Sequence, residues 1–280
     1  MEHSVNVPGQ RAATVSRRIA KTALRITVAI VLAAAGAPAA SAAEIEPDRP
    51  EVTESARLVP RRALQLESGL AYSHERRGGR PTEETFEAEA DLRIGLLHDV
   101  ELDLGWSPLV HVRGQDDDTG VGDVTLGVRY RFVEGFEDAL WPPHLGVKVF
   151  AKLPVAEPPI GTGRPDFGVL LLASLELPLE FELEINLGAA AVGQRRTNGY
   201  LAQAIATTSL SRDIAPSLMG FLEMLYNSPD ERGGRGMLAV NVGLVYRLTR
   251  RLAIDAAIQT SLAGQGPDYV VRTGLSVLWR

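Results

Sequence analysis

From Phe86 onward, apolar residues occupy every second position: Phe86, Ala88, Ala90, Leu92, Ile94 and Leu96. Between them stand Glu87, Glu89, Asp91, Arg93 and Gly95. After His98-Asp99 the alternation resumes, with Val100, Leu102, Leu104 and Trp106 set against Glu101, Asp103, Gly105 and Ser107. A period of two puts successive side chains on opposite faces of a strand, so this stretch predicts a hairpin with one apolar and one charged face. Each run covers about 10 residues, the length a tilted strand needs to cross a bilayer.

The same pattern recurs along the chain. Leu64, Leu66, Leu70 and Tyr72 alternate with Gln65, Glu67 and Gly69. Val124, Leu126, Val128, Tyr130 and Phe132 oppose Asp123, Arg129 and Arg131. Leu145, Val147 and Val149 oppose Lys148 and Lys152. Phe167, Val169, Leu171, Leu175 and Leu177 precede a turn at Pro178, and Phe181, Leu183, Ile185 and Leu187 then oppose Glu182, Glu184 and Asn186. The run Tyr200 to Leu210 has too little contrast for its faces to be assigned. Leu218, Leu222, Met224 and Tyr226 flank Glu223; Val240, Val242, Leu244 and Tyr246 follow. Leu252, Ile254, Ile258 and Leu262 oppose Asp255 and Gln259, and the last run places Tyr269, Val271, Leu275, Val277 and Trp279 opposite Arg272. About twelve strands result. Longer polar loops near 75–82, 113–120, 154–165, 194–199, 227–236 and 263–268 alternate with shorter turns near 98–99, 178–180, 212–216 and 249–251; the 134–143 link breaks the rule.

A soluble sandwich would bury the apolar face and wet the other. A membrane barrel does the reverse, with lipid outside and a polar interior, and it also accounts for the alternation of long loops and short turns. The expected fold is therefore all-β: an up-and-down antiparallel transmembrane β-barrel of outer-membrane type, spanning 62–280. Tyr72, Trp106, Tyr130, Phe132, Tyr226, Tyr246, Tyr269 and Trp279 share the apolar parity, mostly near strand ends, where interfacial aromatic girdles belong.

The N-terminus supports export. Arg11, Arg17, Arg18, Lys21 and Arg25 precede an apolar run from Ile26 to Ala37 and an Ala40-Ser41-Ala42 cleavage motif, which together read as a secretory signal peptide over 1–42. Residues 43–61 are polar, rich in proline and without period, and are read as an irregular segment, periplasmic or turned into the lumen. The sequence holds no cysteine, so disulfides and thiolate metal sites are excluded. A net charge of −6 argues against a nucleic-acid surface. The expected partners are outer-membrane lipid, a small-molecule solute and the barrel-assembly machinery.

Several blocks resemble a known family. PDRPEVTESARLVP (Pro47 to Pro60), LRIGLLHDVELDLGW (Leu92 to Trp106), GVGDVTLGVRYRF (Gly120 to Phe132) and PDFGVLLLASLELP (Pro165 to Pro178) are similar, in order, to blocks of the outer-membrane family named for the MetA pathway of phenol degradation, whose members are often labelled simply transporters. The resemblance implies a β-barrel and, more loosely, passage of small molecules, with aromatic or hydrophobic compounds suggested by the label alone.

The candidate lumen-lining residues are Glu67, Glu87, Glu89, Asp91, Arg93, Glu101, Asp103, Asp123, Arg129, Arg131, Lys148, Lys152, Glu182, Glu184, Glu223, Asp255 and Arg272, with Glu176 on the same parity. Charges in a pore wall set ion preference, and an acidic excess favours cations. The alternative is that acids and bases pair across strands and, with 44–55, close a narrow lumen, leaving a structural or ligand-binding barrel. The acidic clusters around Glu87 and Glu101 offer oxygen ligands, but neighbouring basic strands neutralise them, so no metal or cofactor is assigned. His74, His98, His111 and His144 are accompanied by no serine-nucleophile motif. The reading is a channel or passive transporter with no catalytic residues.

Overall fold

A computed structural model describes residues 44–76, 82–114, 117–136, 140–195 and 199–280. The expected signal peptide lies outside the described residues, as do the middles of four connections, 77–81, 115–116, 137–139 and 196–198.

The alternating runs form strands of 10 to 16 residues. They are β1 (Leu64–Glu75), β2 (Glu83–Gly95), β3 (Val100–Arg113), the three-residue β4 (Asp118–Gly120), β5 (Val124–Val133), β6 (His144–Leu153), β7 (Asp166–Leu177), β8 (Phe181–Gly193), β9 (Tyr200–Ala215), β10 (Leu218–Asn227), β11 (Met237–Thr249), β12 (Leu252–Gly264) and β13 (Tyr269–Trp279). Each long strand pairs antiparallel with its neighbours along the chain. β1 closes the ring on β13, from Leu64 opposite Trp279 to His74 opposite Tyr269. The result is a closed twelve-stranded barrel, in which each long strand is paired on both sides. β4 only extends the rim beside β3.

The barrel is inverted relative to a soluble protein. Its most enclosed side chains include Glu67, Glu101, Glu223 and Asn241, with Glu101, Glu223 and Asn241 all 0% exposed. Leu171 and Leu187, by contrast, are 56% and 53% exposed. Charged groups sealed from water require partners, and a broad exposed apolar surface requires lipid; together these are the outer-membrane arrangement. Trp106, Tyr130, Phe132, Tyr226, Tyr246 and Tyr269 lie on this outer surface. The Tyr72 and Tyr269 rings meet at 6.2 Å on the long-loop end. No described helix is long and apolar enough to cross a membrane.

Two boundaries differ from the alternation. β2 ends at Gly95 rather than running on to Leu96, because the chain leading into β1 docks there: Gly95 N–H donates to Ala63 O at 3.1 Å, and Arg62 N–H donates to Gly95 O at 2.7 Å. The turn is therefore Leu96–Asp99, longer than two residues. β9 continues past Leu210 to Ala215, with Thr207, Ser209 and Ser211 buried inward and Tyr200, Ala202 and Ala204 outward. Small outward alanines and an inward Ile205 remove the contrast that marks faces elsewhere.

Candidate functional site: the lumen and its N-terminal strap

The segment before β1 does not hang outside the barrel. Ile45 N–H donates to Arg250 O at 2.9 Å, at the short-turn end, where Ile45 packs with Val59, Ala63, Val245, Ala253 and Leu278. From this apolar foot the chain rises into the barrel, turns, and returns to Pro60 and β1. We call residues 44–60 the strap. It is polar because its surroundings are polar.

Most strap residues meet a polar side chain of the wall. Glu67 accepts from Arg49 N–H at 2.9 Å. One oxygen of Glu223 accepts from Val52 N–H at 2.8 Å, Thr53 N–H at 2.5 Å and Thr53 Oγ1 at 2.7 Å; the other accepts from Asn241 Nδ2 at 2.8 Å. Asn186 grips the Glu54 backbone twice, accepting from its N–H at 2.7 Å and donating to its carbonyl at 2.8 Å. Ser174 accepts from Ala56 N–H at 2.9 Å, and Glu101 from Val59 N–H at 2.5 Å. A strap without secondary structure must have its buried backbone groups satisfied from outside, and the barrel wall does this.

Charges interlock in the same way. Arg93 lies 2.6 Å from Glu101, 3.1 Å from Asp48 and 3.2 Å from Glu67. Arg129 lies 2.7 Å from Asp48 and 2.9 Å from both Glu54 and Asp103. Lys148 lies 2.7 Å from Glu54 and 3.3 Å from Asp103. On the strap, Arg49 reaches Glu89 at 2.5 Å and Asp255 at 3.6 Å, and Arg57 pairs with Glu176 and Glu182. Gly69 and Gly274 make room for Arg49: a Cβ at Gly69 would stand 2.1 Å from Arg49 Nη2, and one at Gly274 2.8 Å from Nε. Burial alone would raise the Asp48 carboxyl; Arg129 and Arg93 outweigh it and hold Asp48 below its ordinary range. Glu51 meets the opposite environment. Burial and then the Glu184 carboxylate push it well above its ordinary value of 4.5, with Glu223 and Asp48 adding to the rise and the nearby Ser209 hydroxyl opposing it.

The remaining candidates lie elsewhere along the wall or at the rims. Glu87 accepts from Ser107. Asp91 stands in register between Glu67 and Gly105. Arg272 donates to Gln259 at 3.0 Å and lies 3.8 Å from Glu89. Glu184 accepts from Ser174 at 3.3 Å. Lys152 bridges Asp123 and Asp166 at the long-loop end, and Arg131 pairs with Asp99 and Glu134 at the other.

The strap divides the interior into two spaces. On the short-turn side a cavity of about 540 Å³ is lined by Glu51, Arg57, Glu182, Glu184, Asp213 and Arg247, among others. On the long-loop side a cavity of about 390 Å³ has Val52 and Glu54 in its floor. Its lining is mixed: Lys148, Gln259 and Arg272 are polar, and Phe150, Leu170, Ile205 and Leu225 are apolar. Inward apolar groups were not among the residues expected in the lumen. They fall in stretches such as Gly168–Leu172, where both faces are apolar and the period of two disappears.

His74 stacks on Tyr269 at 5.2 Å, His98 bonds Asp99 at 2.8 Å, His111 bonds Thr119 at 2.7 Å, and His144 accepts from Gly135 N–H at 3.1 Å. Among the described residues no group of three or more His, Cys, Asp or Glu is placed to hold a metal ion.

Solved structures similar to the barrel include three outer-membrane channels and porins. An outer membrane channel from Pseudomonas putida F1 superposes with a TM-score of 0.60 at 15% identity, over 84% of this chain and 100% of that one. The NanC porin gives 0.54 at 10% identity, over 76% and 98%. The KdgM porin, solved with disordered oligogalacturonate, gives 0.50 at 8% identity, over 76% and 99%. At such identities the likeness shows the fold. No curated protein matches the chain. The model of the family described as "Putative MetA-pathway of phenol degradation" matches residues 47–279, from the strap to the last strand, and the chain belongs to that family of outer-membrane β-barrels.

Proposed function

We propose that this protein is an outer-membrane channel for passive movement of small solutes, closed at its periplasmic half by the strap and opened when the strap withdraws. The observation that carries the reading is the way the strap is held. It is seated mainly by hydrogen bonds and ion pairs to the wall rather than by an apolar core. Such contacts, most with a charged partner, exchange with water at a net cost of about 1.5–3 kcal/mol each, well below their strength in an apolar medium. The short-turn end is the periplasmic one by the asymmetry of outer-membrane barrels, so the foot of the strap faces the periplasm. The likeness to channel and porin folds and the family membership agree with this reading.

A second reading rests on the same strap: a barrel that stays closed and serves a structural or ligand-binding role. Planar-bilayer recordings separate the two. The mature chain is expected to show small or rare conductance steps, and a chain lacking residues 44–58 large, stable ones with cation preference. A truncated chain that folds, shown by heat-modifiable migration, yet conducts nothing would refute the channel and leave the closed barrel.

A further inference from the structure

The upper cavity has the dimensions and chemistry of a binding site, and its floor is the strap. Its volume of about 390 Å³ falls within the range of small-molecule pockets. Phe150, Leu170 and Ile205 pack together with Leu172 and with Ala56 of the strap, so one wall is a continuous apolar patch. On the same wall Lys148, two residues before Phe150 on β6 and in register with Leu170, reaches down to the floor, where both oxygens of Glu54 accept from its Nζ at 2.7 and 2.8 Å and Arg129 Nη2 lies 2.9 Å from the same carboxylate.

Glu54 is thus a carboxylate held between two cations at the edge of an apolar patch, and it belongs to the strap rather than to the wall. We infer that the upper cavity binds a small organic monocarboxylate, its apolar body on the Phe150–Leu170–Ile205–Leu225 patch and its carboxylate replacing that of Glu54 on Lys148. The arrangement couples occupancy to opening. A solute carboxylate on Lys148 removes the tie between Glu54 and β6, leaving the Glu54 carboxylate with Arg129 on β5. Asn186 on the backbone and Arg129 on the side chain are then what holds Glu54 at this point. This inference rests on the channel reading for its consequence but not for the site itself.

The competition gives the test an unusual sign. Glu54 is tethered at the site, so its effective concentration is of millimolar order or above, and removing its charge removes a competitor. The experiment is calorimetric titration of the mature protein in nanodiscs with phenylacetate, and with 2-phenylethanol as the neutral match. Phenylacetate is expected to bind at least tenfold more tightly than the alcohol. Glu54→Gln is expected to tighten phenylacetate about tenfold, and Lys148→Gln to weaken it by a similar factor. Damage to the site would weaken binding in both variants, so the opposite signs distinguish competition from misfolding. Equal affinity for acid and alcohol, or a Glu54→Gln variant that binds phenylacetate no better than the parent, would overturn the assignment. Because the readout is binding, a protein that binds as described but never conducts would sink the channel reading and leave the site standing.

Discussion

Glu223→Ala is the sharpest perturbation of the strap. One buried carboxylate oxygen accepts three hydrogen bonds, from the backbone amides of Val52 and Thr53 and from the Thr53 hydroxyl. Consecutive amides converging on one oxygen form a small anion-binding nest, and the charge on the acceptor strengthens each bond. Truncation leaves two backbone amides without their acceptor in a site where Thr53 is 0% exposed. An orphaned buried donor costs about 1–3 kcal/mol, so the docked strap should lose about 3 kcal/mol after some relief from lumen water. That is on the order of a hundredfold in the ratio of docked to undocked strap. Glu223→Gln should cost far less. It keeps an oxygen toward the strap, and Asn241, whose Oδ1 has no partner, can turn to accept from the new amide. The chain has no cysteine, so a single Ser55→Cys substitution supplies a reporter thiol at a buried strap position. Labelling by a membrane-impermeant maleimide, in the regime where rate follows the open fraction, should accelerate about a hundredfold in Glu223→Ala and no more than about tenfold in Glu223→Gln. Equal labelling rates in parent and Glu223→Ala, with both barrels still heat-modifiable, would show that the nest carries no docking free energy.

Two other consequences are open to measurement. Glu51 is raised when docked, so its protonated form favours docking; that contribution is complete below about 4.5 and fades as pH rises through the docked value, while Asp48, held low, withdraws its own only in strong acid. Strap labelling should therefore quicken as pH rises from mildly acidic values, and Glu51→Gln, which faces Glu184, Glu223, Asp48 and Ser209 without a charge, should abolish that rise; an unchanged profile would reject the assignment to Glu51. On the outer wall, Leu171 lies mid-strand on β7 between Val147 and Leu187 and is 56% exposed, so Leu171→Arg should cost the barrel about 2–4 kcal/mol in a bilayer, read from urea unfolding in vesicles, whereas a solvent-facing strand would tolerate it at nearly no cost.

The barrel was legible in the sequence wherever the two faces differ in polarity. Glu87, Glu89, Asp91 and Arg93 interleaved with Phe86, Ala88, Ala90 and Leu92 leave only one arrangement of strand and environment, because a one-residue slip would drive four charges into lipid. Spacing likewise separated long loops from short turns. The signal failed where faces match. β9 sets alanines outside against isoleucine and threonine inside, and β7 puts Leu170 and Leu172 in the lumen between outward Val169 and Leu171. The apolar wall of the upper cavity was invisible for that reason.

What the sequence by itself determined is the membrane, the strand number and the charged parity, all of which follow from the local period of two. What only the tertiary structure decided is where the aperiodic residues 44–60 go and which charges meet. Nothing near Pro47–Ser55 announces that Arg49 will sit beside Gly69 and Gly274, or that Asp48 will lie between Arg93 and Arg129. Those partners stand on strands far apart along the chain, and a strap without its own hydrogen-bond ladder takes its conformation from the wall that satisfies it.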